Sequence, residues 1–229
     1  MLINEIFSSI DGEGIRTGNL VTFIRSYGCS LLCKYCDTLY AVKPETEEDK
    51  KNAFTEMSVE TIVEKCKELG NKRITFTGGE PLIQKDAKEL LSKLTIEGFE
   101  VNVETNGKES ITPFVTFDGS CPIAMNKLII TMDWKSPYSG MRDQMLESNL
   151  LALRYNDVLK FVVANKEDLD DMKDILSKFN VKCHVFVSPV FNEIDPVEII
   201  EYLKENNLQD VRVQLQLHKI IWKPEERGV

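Results

Sequence analysis

Residues 20–36 read LVTFIRSYGCSLLCKYC, an apolar run followed at once by three cysteines. The run from Leu20 to Ser26 has the composition of a buried strand, and the loop after it carries Cys29, Cys33 and Cys36. Three thiolates with this CxxxCxxC spacing fit three corners of a [4Fe–4S] cluster and leave the fourth iron without a protein ligand. An open coordination position separates catalytic metal sites from structural ones. The stretch therefore predicts a strand that leads into a cluster open to a small molecule.

Other uses of the cysteines stay open at this stage. A structural zinc site usually has four Cys or His ligands, and the candidates for a fourth ligand are Cys66, Cys121 and Cys183, with His184 directly after Cys183. A disulfide framework is disfavoured, because six cysteines in 229 residues are sparse and no secretory segment opens the sequence. Cys66 lies on the apolar face of a predicted helix and is expected to be a buried thiol. His184 is expected to be structural, and Cys121 and Cys183 have no evident role.

Composition predicts one soluble domain over residues 1–229 that acts on a small molecule. Hydrophobic residues make up 42% and charged residues 28% of the chain, which is ordinary for a globular protein. The formal net charge of −9 argues against stable nucleic-acid binding, which usually needs a basic face. No run is long enough to span a membrane, and the N-terminus lacks the basic and apolar regions of a signal peptide. We therefore expect a cytoplasmic protein.

Away from the cysteines, the pattern alternates strands with helices. The predicted strands lie at residues 20–26, 74–77, 101–103, 128–130, 159–163, 185–187 and 211–217, and the predicted helices include segments at 59–69, 90–97, 141–153 and 169–179 and one that begins at Pro196. Such alternation predicts right-handed crossovers and a mostly parallel sheet. A complete eight-unit barrel takes ~250 residues, so we expect an incomplete, splayed α/β barrel. Its site should lie at the carboxyl ends of the strands, where the cysteines, Thr77, Glu104, Asp133 and Ser188 fall.

The cysteine triplet, with the aromatic Tyr35 before its third cysteine, resembles the signature of the radical S-adenosylmethionine (SAM) superfamily. Thr77-Gly78-Gly79-Glu80-Pro81 matches the "GGEP" motif of the same superfamily. The resemblance implies that SAM chelates the bare iron and is cleaved to a 5′-deoxyadenosyl radical. It further implies a set of SAM contacts at Tyr35, Cys36, Asp37, Gly79, Glu80, Glu104, Asp133, Trp134, Lys135 and Ser188. Glycines let the backbone approach a ligand, Glu80 suits an ammonium, and Glu104 is expected near the ribose.

Motifs at both ends of the chain narrow the resemblance. The opening residues 5–14, EIFSSIDGEG, and the closing residues 216–219, QLHK, are similar to 7-carboxy-7-deazaguanine synthases (the QueE family). That resemblance implies a lyase that contracts 6-carboxy-5,6,7,8-tetrahydropterin to 7-carboxy-7-deazaguanine and ammonia. It also implies Mg²⁺, a flavodoxin- or ferredoxin-like electron donor, a homodimer, and a place in 7-deazapurine (queuosine) biosynthesis. Two alternatives stay open: another small radical SAM enzyme, such as a glycyl-radical-enzyme activase, and a non-enzymatic zinc or cluster module.

The resemblance assigns substrate roles to individual residues. Arg25 offers a planar fork for the substrate carboxylate, and Thr38 follows the third cysteine where the family has a Mg²⁺-ligating hydroxyl. Asp11 stands where most members carry Gln, and we expect it or Glu13 to read the guanidine-like edge of the pterin. The full set of expected substrate contacts is Ile10, Asp11, Gly12, Glu13, Arg25, Thr77, Gln216 and His218.

Overall fold

The structure is a computed structural model that describes residues 1–116, 122–223 and 226–228. Within these residues, nine strands form a single sheet. The strands are β1 (Leu2–Ile10), β2 (Leu20–Ser26), β3 (Thr55–Glu56), β4 (Arg73–Gly78), β5 (Glu100–Thr105), β6 (Leu128–Lys135), β7 (Val158–Val163), β8 (His184–Pro189) and β9 (Val211–Val213). Their order across the sheet is β3-β1-β2-β4-β5-β6-β7-β8-β9.

Seven consecutive strands of this sheet are parallel: β2 and β4 to β9. Strand β1 runs antiparallel to both β2 and β3 and extends the sheet at one edge. Because β3 and β9 are the two ends of the strand order, the sheet does not close on itself. The prediction of an incomplete, mostly parallel barrel is therefore confirmed, whereas the antiparallel pair β1 and β3 was not predicted.

Helices cover the outside of the curved sheet. The described residues form α1 (Glu47–Lys51), α2 (Val59–Leu69), α3 (Ala87–Ile96), α4 (Thr112–Val115), α5 (Ser148–Ala152), α6 (Lys166–Lys178), α7 (Pro196–Glu205) and α8 (His218–Ile221). Helix α2 begins after Ser58, whose side chain accepts a hydrogen bond from Thr61 N–H, and ends at Gly70 in the left-handed conformation. The helix predicted over 141–153 is wrong in extent, since only Ser148–Ala152 is α-helical. None of the described helices has the length and apolar content needed to cross a bilayer.

Alternate side chains of a strand face either the hydrophobic core or the interior of the barrel. On β6, Ile130, Met132 and Trp134 are fully buried in the hydrophobic core. The alternate residues Asp133 and Lys135 point to the opposite face, because successive side chains of a strand alternate, and they line an internal cavity. Trp134 is thus a core residue, and the expectation that its side chain contacts SAM is corrected.

The loop after β1 meets the C-terminal segment inside the barrel. Leu217 N donates to the carbonyl of Gly12 at 3.0 Å. Gly14 N donates to Gln214 Oε1 at 2.7 Å, and Gln214 Nε2 donates to Thr17 Oγ1 at 2.7 Å. The opening motif, residues 5–14, and the closing motif, residues 216–219, therefore lie side by side.

Candidate active site

A cavity of about 840 Å³ opens at the carboxyl ends of the parallel strands. It brings together most of the residues that the sequence singled out. Those on its wall are Ile10, Gly12, Glu13, Arg25, Cys29, Cys33, Tyr35, Cys36, Asp37, Thr38, Thr77, Gly79, Glu104, Asp133, Lys135, Gln216 and His218. Four expected site residues do not line it: Asp11, Glu80, Trp134 and Ser188.

The cysteine loop is packed directly on the turn that follows β4. Gly79 N donates to Ser26 O at 3.1 Å, and Glu80 N donates to Gly28 O at 2.8 Å. A Cβ at Gly79 would stand 1.9 Å from Gly28 O, so no other residue fits between the two backbones. The glycine is therefore required by the approach of the cysteine loop.

The three cysteines are half-buried and free of disulfides. Burial raises the pKa of the Cys29 and Cys33 thiols. Cys29 Sγ accepts from Leu31 N and from Asn106 Nδ2, each at 3.4 Å, and Cys36 Sγ lies 3.7 Å from Thr38 Oγ1.

A cluster suits this arrangement better than a single metal ion. Among residues 1–116, 122–223 and 226–228, no three His, Cys, Asp or Glu side chains come close enough to surround one ion. A [4Fe–4S] cluster needs no such convergence, because each thiolate binds a different iron. The further cysteines stand apart from the loop: Cys66 is buried on α2 and Cys183 precedes β8. Cys121 lies outside the described residues.

Asp11 does not face the cavity, which corrects the expectation that its carboxylate reads the substrate. Its side chain is 2% exposed and forms an ion pair with Arg16, with Nε and Oδ2 2.9 Å apart. Thr75 Oγ1 donates to the other carboxylate oxygen at 2.6 Å, and Arg16 Nη2 also donates to Thr75 Oγ1 and to Ile74 O. Burial raises the pKa of Asp11, and Arg16 opposes that shift. Asp11 and Arg16 together form a polar plug beneath the cavity.

The carboxylate of Glu80 is likewise occupied by hydrogen bonds from within the protein. Glu80 is fully buried, and its carboxylate accepts from Leu82 N, Thr105 Oγ1 and Asn106 N at 2.7 to 2.9 Å. Burial raises its pKa to about 7. The expected contact between Glu80 and the SAM ammonium is therefore corrected, since the side chain instead ties the turn after β4 to the turn after β5.

Charged side chains alternate in sign across the floor of the cavity. Lys160 forms ion pairs with Glu13 and with Asp133, whose Oδ1 lies 3.5 Å from its Nζ, and Lys135 pairs with Asp133 Oδ2 at 2.9 Å. Burial would raise the pKa of Asp133, but Lys135 and Lys160 bring it to about 2. The same acids hold the pKa of Lys160 above its ordinary value despite burial. The floor is thus a fixed network of charges.

Glu104 sits at one side of this network, next to a predicted substrate residue. Its Oε2 accepts from Thr77 Oγ1 at 2.9 Å. Burial, reinforced by the nearby Glu13 carboxylate, raises the pKa of Glu104 to about 7. Two neighbouring carboxylates, one of them easily protonated, suit a ligand edge that presents several N–H donors.

Arg25 reaches the cavity from β2 with its guanidinium already held. Its Nε lies 2.6 Å from Glu5 Oε1, and Tyr40 Oη donates to the same oxygen at 3.0 Å. The Arg25 side chain is 14% exposed. Because Nε is used by Glu5 and no hydrogen bond joins the terminal nitrogens to another of the described residues, these nitrogens can present a planar fork to a ligand.

The C-terminal segment supplies the remaining wall. His218 packs so tightly on Gly12 that a Cβ there would lie 2.5 Å from Nδ1, and burial lowers the pKa of His218. Gln216 Nε2 donates to Glu13 Oε2 at 3.4 Å. Arg227 pairs with Asp49 at 2.7 Å and covers the ring of Tyr40.

Among the residues that the structure describes, three buried hydroxyls have no hydrogen-bond partner: Tyr35 Oη, Ser136 Oγ and Ser188 Oγ. Ser188 is paired in register with Val162, which lines the cavity. Tyr35 stacks on Tyr138 with ring centroids 6.5 Å apart, beside the small apolar cluster of Val162, Ala164 and Val190. An apolar surface with unpartnered hydroxyls fits a nucleoside, which presents a flat ring and polar edges.

Sequence reasoning missed Glu5, Arg16, Lys160 and Asn106. Lys160 carries the clearest signal, because a lysine within the apolar run 158–163 needs a charged partner when buried. The partners of the other three are set by the fold.

Comparisons with known proteins agree with this geometry. The family model of the radical SAM superfamily matches residues 23–110. The chain is 43% identical to the 7-carboxy-7-deazaguanine synthase of Clostridium acetobutylicum, over 98% of this chain and 97% of that protein. It is 34% identical to the enzyme of the same name from Leptospira interrogans, over 99% and 97% of the two chains.

Among solved structures, the crystal structure of QueE from Escherichia coli matches with a TM-score of 0.71, 21% identity, and coverage of 94% of this chain and 93% of that one. This likeness concerns the fold. On the strength of the sequence relatives, the chain belongs to the 7-carboxy-7-deazaguanine synthase family of radical SAM enzymes.

Proposed function

We propose that this protein converts 6-carboxy-5,6,7,8-tetrahydropterin to 7-carboxy-7-deazaguanine and ammonia as a radical SAM lyase. The observation that carries the proposal is the common cavity, in which a three-cysteine loop faces Arg25 and two carboxylates, Glu13 and Glu104. A ligand that fits both ends has a carboxylate on one side and an array of N–H donors on the other. The relatives that share the full length of the chain support the same reaction.

Cys29, Cys33 and Cys36 are the residues that would hold the cluster, and the pocket around Tyr35 and Ser188 would hold SAM. The chemistry that these groups supply when bound is reductive cleavage of the sulfonium to a 5′-deoxyadenosyl radical. The protein contributes by keeping the site covered and by holding the substrate in one orientation. Asp133 and Lys135 are proposed SAM contacts, because both line the cavity beside Cys33.

Arg25 orients the substrate by binding its carboxylate. Glu5 fixes the guanidinium through Nε, so the two terminal nitrogens present parallel donors without needing to reorient. The aromatic rings of Phe7 and Tyr40 flank Arg25, with centroids 5.9 and 6.0 Å from its Cζ. These neighbours hold the fork in place before the substrate arrives.

Glu13 and Glu104 read the guanidine-like edge of the pterin. Glu104 was expected near the ribose, but its hydrogen bond with Thr77, a predicted substrate contact, supports a role at the substrate instead. A bound N–H edge stabilises the ionised carboxylate and lowers its pKa from the raised value of the free protein. The backbones of Ile10 and Gly12, with Gln216 and His218, complete the pocket.

Thr38 is the proposed Mg²⁺ ligand. Its hydroxyl lies beside Cys36 and its residue lines the cavity, while Asp37 pairs with Lys219 at 3.2 Å. One hydroxyl suffices when substrate oxygens and waters complete the shell, as Mg²⁺ prefers. Thr38→Ala should lower turnover and flatten its dependence on Mg²⁺. A metal titration that matches the parent protein's would remove Thr38 from the site.

The wider setting is part of the proposal. We place the product in 7-deazapurine biosynthesis, the electron donor among flavodoxin- or ferredoxin-like proteins, and the enzyme in the cytoplasm as a homodimer of single-domain chains. These assignments are supported by the family membership.

The decisive experiment is product formation under anaerobic conditions. Reconstituted protein is incubated with SAM, a reductant and the carboxy-tetrahydropterin, and the deazaguanine chromophore is followed by absorbance and mass spectrometry. Cys33→Ala is the matched control, since it removes one cluster ligand from the loop. A protein that cleaves SAM but never forms the deazaguanine would be a different radical SAM enzyme, such as a glycyl-radical activase.

A further inference from the structure

The side-chain amide of Asn106 lies against the first of the three cysteines. Its Nδ2 is 3.4 Å from Cys29 Sγ, although the two residues are 77 positions apart in the sequence. Leu31 N donates to the same sulfur at 3.4 Å. Cys29 therefore has two N–H groups directed at it, one from its own loop and one from the turn after β5.

Hydrogen bonds on the other side of the amide fix which end faces the sulfur. Lys108 N donates to Asn106 Oδ1 at 3.0 Å. Because a backbone N–H can only donate, the carbonyl end of the amide must point to Lys108 and the NH₂ end to Cys29. The donor on the sulfur is thus set by the local backbone.

The backbone of Asn106 is anchored as firmly as its side chain. Asn106 N donates to Glu80 Oε2 at 2.7 Å, and Thr105 Oγ1 donates to Glu80 Oε1 at 2.8 Å. Glu80 is fully buried, and its own N–H donates to the carbonyl of Gly28, the residue before Cys29. Glu80 therefore joins the Asn106 turn to the cysteine loop and keeps the distance between amide and sulfur constant.

We propose that Asn106 is a positioning residue that sets the reduction potential of the cluster through its hydrogen bond to Cys29. The proposal rests on the proposed function, because it takes Cys29 as a cluster ligand. Reduction adds negative charge to the cluster and its sulfurs, so a donor on a ligand sulfur stabilises the reduced form more than the oxidised form. Removing the donor should lower the potential and make the cluster harder to reduce.

The test is a reductive titration of the reconstituted cluster, followed by electron paramagnetic resonance, on the parent protein and three variants. Asn106→Leu keeps the approximate side-chain volume and removes the donor, and Asn106→Asp keeps the acceptor for Lys108 N but replaces the donor by an oxygen. We expect an equilibrium constant for reduction about tenfold smaller in Asn106→Leu, which is ~59 mV for a one-electron couple, and a larger shift in Asn106→Asp.

The matched control is Asn102→Leu, which changes a buried asparagine on β5, the strand that leads to Asn106; Asn102 is bonded to Thr131 instead of to a thiol. Its potential should equal that of the parent. With iron and sulfide contents unchanged, a potential in both Asn106 variants equal to the parent's overturns the proposal and leaves the function standing. Parent protein that forms no [4Fe–4S] cluster contradicts the function itself. Should Asn106→Leu fail to fold, Asn106→Asp alone decides the question.

Discussion

Arg25→Lys tests how the substrate is held, because it keeps the positive charge and removes the planar fork. In the structure Arg25 Nε is 2.6 Å from Glu5 Oε1 and the side chain is 14% exposed. A lysine has one nitrogen, which can satisfy Glu5 or the substrate carboxylate in good geometry but not both. The variant therefore loses at least one charge-assisted hydrogen bond to the ligand.

The magnitude follows from that loss. A hydrogen bond to a charged group contributes about 1.5 to 3 kcal/mol, and each ~1.4 kcal/mol is a factor of ten in affinity. We expect KM for the carboxy-tetrahydropterin to rise roughly 10- to 150-fold. The turnover number should fall less, since the carboxylate is bound alike in ground and transition states.

The assay is steady-state product formation at saturating SAM, with SAM affinity measured separately from the change in the cluster spectrum. Arg142→Lys is the matched control, because Arg142 also holds a carboxylate, that of Asp171, but lies outside the cavity wall. A KM for Arg25→Lys within twofold of the Arg142→Lys value would refute the assignment of Arg25 to the substrate.

Three further predictions concern the plug, the cysteine loop and the cavity floor. Arg16→Ala leaves the buried Asp11 carboxylate without its charged partner and should lower the free energy of unfolding by about 3 to 5 kcal/mol, measured by denaturant titration of the apoprotein. A loss below about 1 kcal/mol would contradict the structural role of this ion pair. Gly79→Ala places a Cβ 1.9 Å from Gly28 O and should lower the amount of iron bound after reconstitution. Gly70→Ala, with open space around it, should not. Equal iron contents in the two variants would contradict the claim that the close approach at Gly79 positions the cysteine loop. Substrate affinity should rise between about pH 5 and about pH 8, because Glu104, whose pKa burial raises to about 7, loses its proton over that range. The rise should be absent in Glu104→Gln. The same pH dependence of affinity in Glu104→Gln and in the parent protein would exclude Glu104 from the substrate.

The sheet was predictable because several parallel strands are short apolar runs that end at polar residues or glycines, as β4 does at Gly78 and β5 at Thr105. Period and turn residues locate β4, β5 and β7 without any knowledge of their partners. Strand β1 was not predicted because residues 5–14 contain both part of a strand and a loop that lines the cavity, and because charged and polar residues hide the alternation. Its partner β3 has two residues, too few for any periodic signal.

The site was predictable as a location but not as a set of contacts. Motif residues such as Cys29, Thr77 and Glu104 line the cavity, since the carboxyl ends of parallel strands meet at one edge of a sheet. Asp11 and Glu80 also belong to motifs, yet their carboxylates are taken by Arg16 and by the turn at Asn106. A sequence motif indicates which residues lie near the site. The direction in which a buried carboxylate points depends on hydrogen-bond donors from elements far away in the sequence, which the motif does not contain.

The central claim is that three cysteines of one loop leave one iron of a cluster free for SAM. Mössbauer spectra of anaerobically reconstituted, ⁵⁷Fe-labelled protein, recorded with and without SAM, test it most directly. The account predicts about four irons per chain and a change confined to a single iron site when SAM is added. Mössbauer spectra in which no iron site changes when SAM is added, or a protein that binds zinc in place of iron, would contradict it.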